Sequence, residues 1–268
     1  MRWVEPEIYL LGETRLFPVH IEQMIRKMGF SGTWETDAVS GCEYLTEVAG
    51  RLCYKSFGAG VNLNVTKVRE GNESYLANIL QSKHGSVLEH VSTTVAFIDV
   101  SRIFTHEIVR HRAGTAFSQE SMRYVRTDDI SMWLPLSIGT KEKRAEETAF
   151  DLVNSIKRGY DELAEFFGLA SLKDFSAKKI LTSALRRFLP GGTATNIIVT
   201  ANHRAWRHMI EVRTSVHAEE EIRLVMGMVA RTFKTRYPNI YQDMEEMLLP
   251  FEEDPLQLPV YVFSNSKV

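Results

Sequence analysis

The sequence predicts an α+β fold: a single helix-rich domain, residues 1–268, with a small, largely antiparallel sheet. Long stretches place apolar residues at helical spacing, and a few short ones gather β-branched and aromatic residues. No internal repeat or linker divides the chain. At roughly 100–200 residues per domain, 268 residues make one large domain or two small ones. Apolar residues are 44% and charged residues 25%, which excludes disorder, collagen and coiled coil and allows a sizeable core.

The elements follow in order. Ile8 to Gly12 reads as a short strand, and Val19 to Met28 as a helix. Gly29 to Ser40 is rich in turn formers. Leu45, Val48, Ala49 and Leu52 give Glu43 to Tyr54 a helical period. Ser56 to Asn64 is a Gly/Asn loop, whose Gly58-Ala59-Gly60 lacks the third glycine of a dinucleotide fingerprint. Glu70 to Ser82 reads as a helix, and Val91 to Val100 as a strand. Ser101 is placed to cap a helix through Arg112, with Gly114 to end it. Ala113 to Arg126 reads as a polar loop with short strands at Phe117 and Tyr124-Val125. Lys141 to Phe167 and Ser171 to Leu189 read as helices, broken by Pro190-Gly191-Gly192. Thr193 to Thr200 is a strand, Asn202 caps a helix to Arg213, and Glu219 to Thr235 is another helix. The tail carries a final short helix before Pro255 and Pro259.

Net charge is −2, from 32 basic and 34 acidic residues, which excludes a protein that coats nucleic acid through bulk charge. The basic residues are unevenly placed. His84 to Thr140 has no Lys but holds Arg102, Arg110, Arg112, Arg123 and Arg126. Leu181 to Phe233 has no Lys but holds Arg186, Arg187, Arg204, Arg207, Arg213, Arg223 and Arg231. A guanidinium is a rigid fork for phosphate or carboxylate and stacks on flat rings, so these windows suggest a flat, anionic ligand.

Cys42 and Cys53 form no disulfide framework, which favours a reducing compartment. The first residues form neither a signal nor a transit peptide, and no apolar run approaches the ~20 residues of a membrane helix. A cytoplasmic protein is expected. No metal is expected either: His106-Glu107-Ile108-Val109-Arg110 misses a zinc motif because Arg110 takes the second ligand position. Cys53, in an apolar context, reads as a buried, inert thiol.

Two clusters stand out. Arg110-His111-Arg112 is followed by Ser118, Gln119, Ser121 and Arg123. It reads either as a helix end whose cations satisfy the last carbonyls, or as a site for a phosphorylated base. In the second, Ala205, Met209 and Val212 form a core face, while Arg204 and His208 share another. That is either a solvated basic face or a ligand face, and Trp206 reads as core.

Together these residues resemble a known family. Arg110-His111-Arg112, eight residues, then Ser121-Met122-Arg123-Tyr124 resembles the signature of flavin-dependent thymidylate synthases. His84 to His90 resembles the family's His-x-x-x-x-Glu-His segment, and Arg186 to Pro190 its Arg-x-x-Leu-Pro segment. Asn202, Arg204, His208, Arg213, His217 and Ala218 match its C-terminal signature in spacing. The matched segments run from His84 to Ala218.

The resemblance implies reductive methylation of dUMP to dTMP. Carbon would come from 5,10-methylenetetrahydrofolate, and reducing equivalents from NADPH through bound FAD, in a homotetramer with shared active sites. It gives FAD contacts to Ser86, Arg110, His111, Arg112, Gln119, Asn202, Arg204 and His208. It gives dUMP contacts to Glu107, Arg110, Gln119, Glu120, Ser121, Met122, Arg123, Arg186 and Arg213, with Arg186 from a neighbouring subunit. Arg213 is then the catalytic residue that polarises the uracil, and His84 lies near flavin and folate. No cysteine nucleophile is implied, unlike classical thymidylate synthase. The sequence departs from the family pattern in its eight-residue gap, where seven is commoner, and in Glu107, where an amide is frequent. The alternative is a non-catalytic flavin- or nucleotide-binding protein of the same fold.

Overall fold

The computed structural model of the chain describes residues 1–58, 61–65, 68–122, 130–139 and 143–266. The elements run β1 (Arg2–Trp3), β2 (Glu7–Glu13), α1 (Pro18–Lys27), α2 (Gly41–Tyr54), α3 (Asn72–Gln81), β3 (Ser92–Ser101), α4 (Arg102–Ile108) and β4 (Thr115–Gln119). They continue with β5 (Ser131–Met132), α5 (Leu136–Gly139), α6 (Lys143–Phe166), α7 (Phe175–Leu185), β6 (Ala194–Asn202), α8 (His203–Arg213), α9 (Glu220–Arg236), β7 (Met244–Met247) and β8 (Val260–Phe263). This is the expected α+β class.

One sheet, in the order β2-β3-β6-β4, is antiparallel throughout. Strand alternation turns Val95 and Phe97 of β3 and Ile197, Val199 and Ala201 of β6 into the core. There they meet Phe104, Trp206, Met209, Val229 and Phe233 from α4, α8 and α9. Trp206 is core, as expected, and its indole N–H donates to the Thr93 carbonyl at 3.1 Å, whereas Val212, expected on the core face of the same helix, is 40% exposed because that face turns outward at the helix end. A second small cluster joins Tyr160 and Ala164 of α6 to Leu185 of α7. No helix of the described residues is long and apolar enough to cross a membrane.

Both predicted caps are present. The Ser101 hydroxyl accepts from Phe104 N–H at 2.9 Å, and the Asn202 side chain accepts from Ala205 N–H at 2.9 Å. Each such cap stabilises its helix by about 1 kcal/mol.

Several expectations need correction. The helix after Ser101 ends at Ile108, not Arg112, so Arg110, His111 and Arg112 stand in the turn that follows. Gly114 stands in the turn just before β4 rather than ending that helix, and Phe117 lies within this strand. The Tyr124-Val125 strand lies outside the described residues. The helix expected from Ser171 starts at Phe175, because the Asp174 carboxylate caps it, and Arg186 to Phe188 tighten into a 3-10 turn. The tail forms the β7–β8 hairpin instead of a helix. The short parallel pair β1–β5 was not expected. Cys53 is exposed and Cys42 is the buried thiol, pushed up to about 11 by burial.

Buried ion pairs anchor α8 and α9 to the C-terminal segment. Arg207 of α8 makes a two-pronged pair with Asp243, and Arg223 of α9 makes another with Asp254. At the start of α9, the buried Glu221 carboxylate accepts from Ser101 N–H at 2.6 Å and from its hydroxyl. Burial, with Glu219 and Glu220 nearby, outweighs those bonds and pushes Glu221 up to about 7. The folded state therefore keeps a proton that the unfolded chain loses between pH 4.5 and about 7. Stability from this group is full below that window and is lost as pH rises through it. Glu221→Gln is expected to flatten this slope in thermal melts from pH 4.5 to 8. A variant as pH-sensitive as the parent would contradict it.

Candidate active site

The turn after α4 and the exposed face of α8 converge on one cavity of about 500 Å³. Its walls include Arg110, His111, Arg112, Asn202, Arg204 and His208. Two local features create it. Asn202 N–H donates to the Gly114 carbonyl at 3.0 Å, which ties the turn to the start of α8. Gly114 has φ +69°, and a Cβ there would stand 2.3 Å from the Asn202 amide nitrogen. Only glycine suits both constraints. Arg204 and His208, one helical turn apart, face the cavity together, and Glu89 holds Arg204 at 2.5 Å.

A second cleft, of about 380 Å³, is lined by Arg102, Thr105, His106, Glu107 and Gln119. A third, of about 300 Å³, adjoins it through Arg102 and Gly191 and adds Met122, Arg186 and Arg187.

Arg213 links the first two cavities. Its Nε–H donates to His111 Nε2 at 2.7 Å, and His111 lines the first. Its Nη1 donates to Glu107 Oε2 at 2.6 Å, and Glu107 lines the second. Its Nη2 donates to the Glu107 carbonyl at 3.2 Å. Burial, then the charges of Arg213 and His208, lowers His111 to about 4, against an opposing pull from Glu107. The ring is therefore neutral near pH 7. Since Nε2 accepts from Arg213, its one proton sits on Nδ1. Three of the five guanidinium hydrogens are thus committed, leaving one on each terminal nitrogen for a ligand.

A family model described as "Thymidylate synthase complementing protein" matches residues 36–239. The chain belongs to the flavin-dependent thymidylate synthase family. A relative of that name from Mycobacteroides abscessus is 36% identical over 233 residues, covering 83% of this chain and 89% of its own. One from Corynebacterium diphtheriae is 33% identical over 220 residues, covering 81% and 84%. A third, from Mycobacterium sp. (strain JLS), is 37% identical over 224 residues, covering 79% and 83%.

Within this flavin-dependent thymidylate synthase fold, the predicted residues are partly gathered. Of the positions expected at the flavin, Arg110, His111, Arg112, Asn202, Arg204 and His208 share the first cavity. Gln119 lines the second cleft instead and donates to Thr105 Oγ1 at 3.0 Å. Ser86 is exposed on the turn before β3 and does not line the cavity, while Glu89 of the same turn does. His84 also stands apart, exposed, against Tyr54 at 3.2 Å.

Of the positions expected at the nucleotide, Glu107 and Gln119 line the second cleft and Met122 and Arg186 the third. Glu120 accepts from Asn196 Nδ2 at 2.9 Å and, like Ser121, lines none of the three. Arg123 lies outside the described residues. Glu89 and Arg102 were missed. Glu89 belongs to the family-like segment, so its charge opposite a basic cluster was an available signal. Nothing local marks Arg102.

The donor set of the first cavity fits a flavin dinucleotide. Three guanidiniums, an amide and a neutral imidazole suit a flat ligand that carries a pyrophosphate. Among the described residues, no group of three or more His, Cys, Asp or Glu could hold a metal. Gly114→Ala is expected to cost about 1–2 kcal/mol from its left-handed backbone alone, and more because Asn202 must move. Thermal melts read this directly, and an unchanged melting temperature would contradict it.

Proposed function

We propose that this family member makes dTMP from dUMP. The carbon comes from 5,10-methylenetetrahydrofolate and the reducing equivalents from NADPH. FAD, held by Arg110, Arg112, Asn202, Arg204 and His208, supplies the electrons that reduce the transferred carbon to a methyl group. The nucleotide occupies the clefts lined by Glu107, Gln119 and Arg186, with Ser121 and Arg123 at its phosphate. Residues 1–268 act as one domain, in a homotetramer whose subunits share sites.

The observation that carries this reading is Arg213, which bonds one residue from each cavity. Uracil C5 becomes nucleophilic when negative charge on N3 and O2 is stabilised. A guanidinium does this without losing its own proton. Glu107 and neutral His111 fix the guanidinium plane, so its remaining hydrogens meet the ring without reorganisation. No thiolate is needed: Cys42 is buried with its thiol held protonated, and the exposed Cys53 lines none of the three cavities.

The test is direct. Purified protein is expected to be yellow and to form dTMP from dUMP, methylenetetrahydrofolate and NADPH. Colourless protein that takes up no added FAD and makes no dTMP would sink the reading and leave the non-catalytic alternative.

A further inference from the structure

Arg102 has no role in the site as assembled so far, yet it lies where the two nucleotide-side clefts meet. Its backbone is fixed on both sides. Its N–H donates to the Thr193 carbonyl at 3.2 Å, and its own carbonyl accepts from Thr105 Oγ1 at 3.0 Å. Arg186 reaches the same cleft from a 3-10 turn closed by Leu189 N–H on the Arg186 carbonyl at 3.2 Å.

Among the described residues, the charge in this cleft is unbalanced. Arg102, Arg186 and Arg187 line it with Met122, Leu189, Pro190 and Gly191, and no carboxylate is among them. Among the described residues neither Arg102 nor Arg186 has an ion-pair or side-chain hydrogen-bond partner. The acid lining the adjoining cleft, Glu107, is already bound to Arg213 at 2.6 Å. Arg102 is lowered by burial and then by the like charge of Arg186. Two half-buried guanidiniums that repel one another are costly unless an anion joins them, and such arrangements mark binding sites.

We propose that Arg102 pairs with Arg186 to bind the 5′-phosphate of the substrate nucleotide, so that Arg102 sets the preference for a phosphate monoester over the free nucleoside. The inference rests on the dUMP reading above. A phosphate dianion matches two guanidinium forks in charge and geometry. The base end then points away from this pair, toward the Glu107 and Arg213 that serve the same nucleotide in the shared site. Because both arginines line one cleft, whichever subunit's nucleotide receives Arg186 receives Arg102 as well.

The holoenzyme's flavin spectrum can be titrated with dUMP and with deoxyuridine. Arg102→Ala is expected to weaken dUMP binding about 10- to 100-fold, the scale of a charge-assisted contact, and leave deoxyuridine binding unchanged. Arg102→Lys should fall between, since it keeps the charge and loses the fork. Equal weakening of both ligands would show a structural role and overturn the proposal. So would unchanged dUMP affinity, or a loss confined to methylenetetrahydrofolate and its glutamyl carboxylates. If the parent protein itself neither binds dUMP nor prefers it to deoxyuridine, the functional reading has failed first. Among the described residues the Arg102 side chain holds nothing else in place, and Arg102→Met keeps its apolar stem as a folding control.

Discussion

Arg213→Ala is expected to lower dTMP formation by at least about 100- to 1000-fold while the protein remains yellow. The reason lies in where the side chain sits. Its partners are Glu107 and His111, and it does not itself line the cavity with the flavin-type donors. Removing it takes away the charge that would stabilise the uracil anion and leaves that cavity's donors intact. The stability cost should be modest, because Glu107 keeps Arg110 at 3.5 Å and is 25% exposed. Arg213→Lys should not restore activity. A single ammonium cannot serve His111 and Glu107 and still offer two parallel hydrogens to a ring. Steady-state dTMP formation, normalised to flavin content, decides the matter. A variant within a few fold of the parent would remove Arg213 from the chemistry.

Arg207→Met is expected to cost about 3–5 kcal/mol of stability, or roughly 6–20 °C in Tm. Arg207 lies on α8, on the side away from the cavity, and is 3% exposed. It donates to Asp243 at 2.7 and 2.9 Å and to the Ile240 carbonyl at 2.7 Å, and lies 4.3 Å from the Phe263 ring centre. Burial alone would raise Asp243, but the hydrogen bonds and charge of Arg207, with Asn265, hold it below the ordinary carboxylate value. Without Arg207 that carboxylate is left buried and uncompensated. Adding Asp243→Asn should recover part of the loss, because the orphaned charge goes with it. Denaturant or thermal unfolding reads both. A single variant within about 1 kcal/mol of the parent would contradict this account of the pair.

The contrast between these two arginines shows what composition can reveal. Both lie in the same Lys-free window, and sequence alone could not separate them. A Lys-free window of arginines suggests an anionic ligand, but Arg207 and Arg223 are structural, each committed to a buried aspartate. Arg231 donates to Tyr261 and Arg102 lines a cleft. The roles of Arg207, Arg223 and Arg231 depend on Asp243, Asp254 and Tyr261 in the tail.

Features set by a few adjacent residues were legible. Ser101 and Asn202 cap their helices because a short polar side chain reaches backbone N–H groups three residues on. The strands before them follow from β-branched alternation. Arg204 and His208 share a face through helical geometry alone.

What tertiary structure decided involved partners distant in sequence. The helix after Ser101 was expected to reach Arg112, and nothing local forbids it. It stops at Ile108, and the Glu107 carbonyl, which another helical turn would offer to His111 N–H, accepts from Arg213. His111 N–H turns back to Ile108 at 3.2 Å. With the helix ended there, the His111 ring accepts from Arg213, a partner 102 residues away in the chain. The tail hairpin is similar: Glu245 and Glu246 make a poor strand by propensity, yet Glu246 pairs through Tyr261 in β8. The sequence by itself determined the class, the caps and the residue types that converge. Only folding decided which arginines face a ligand and which face an aspartate, because a guanidinium's role is set by the anion it meets.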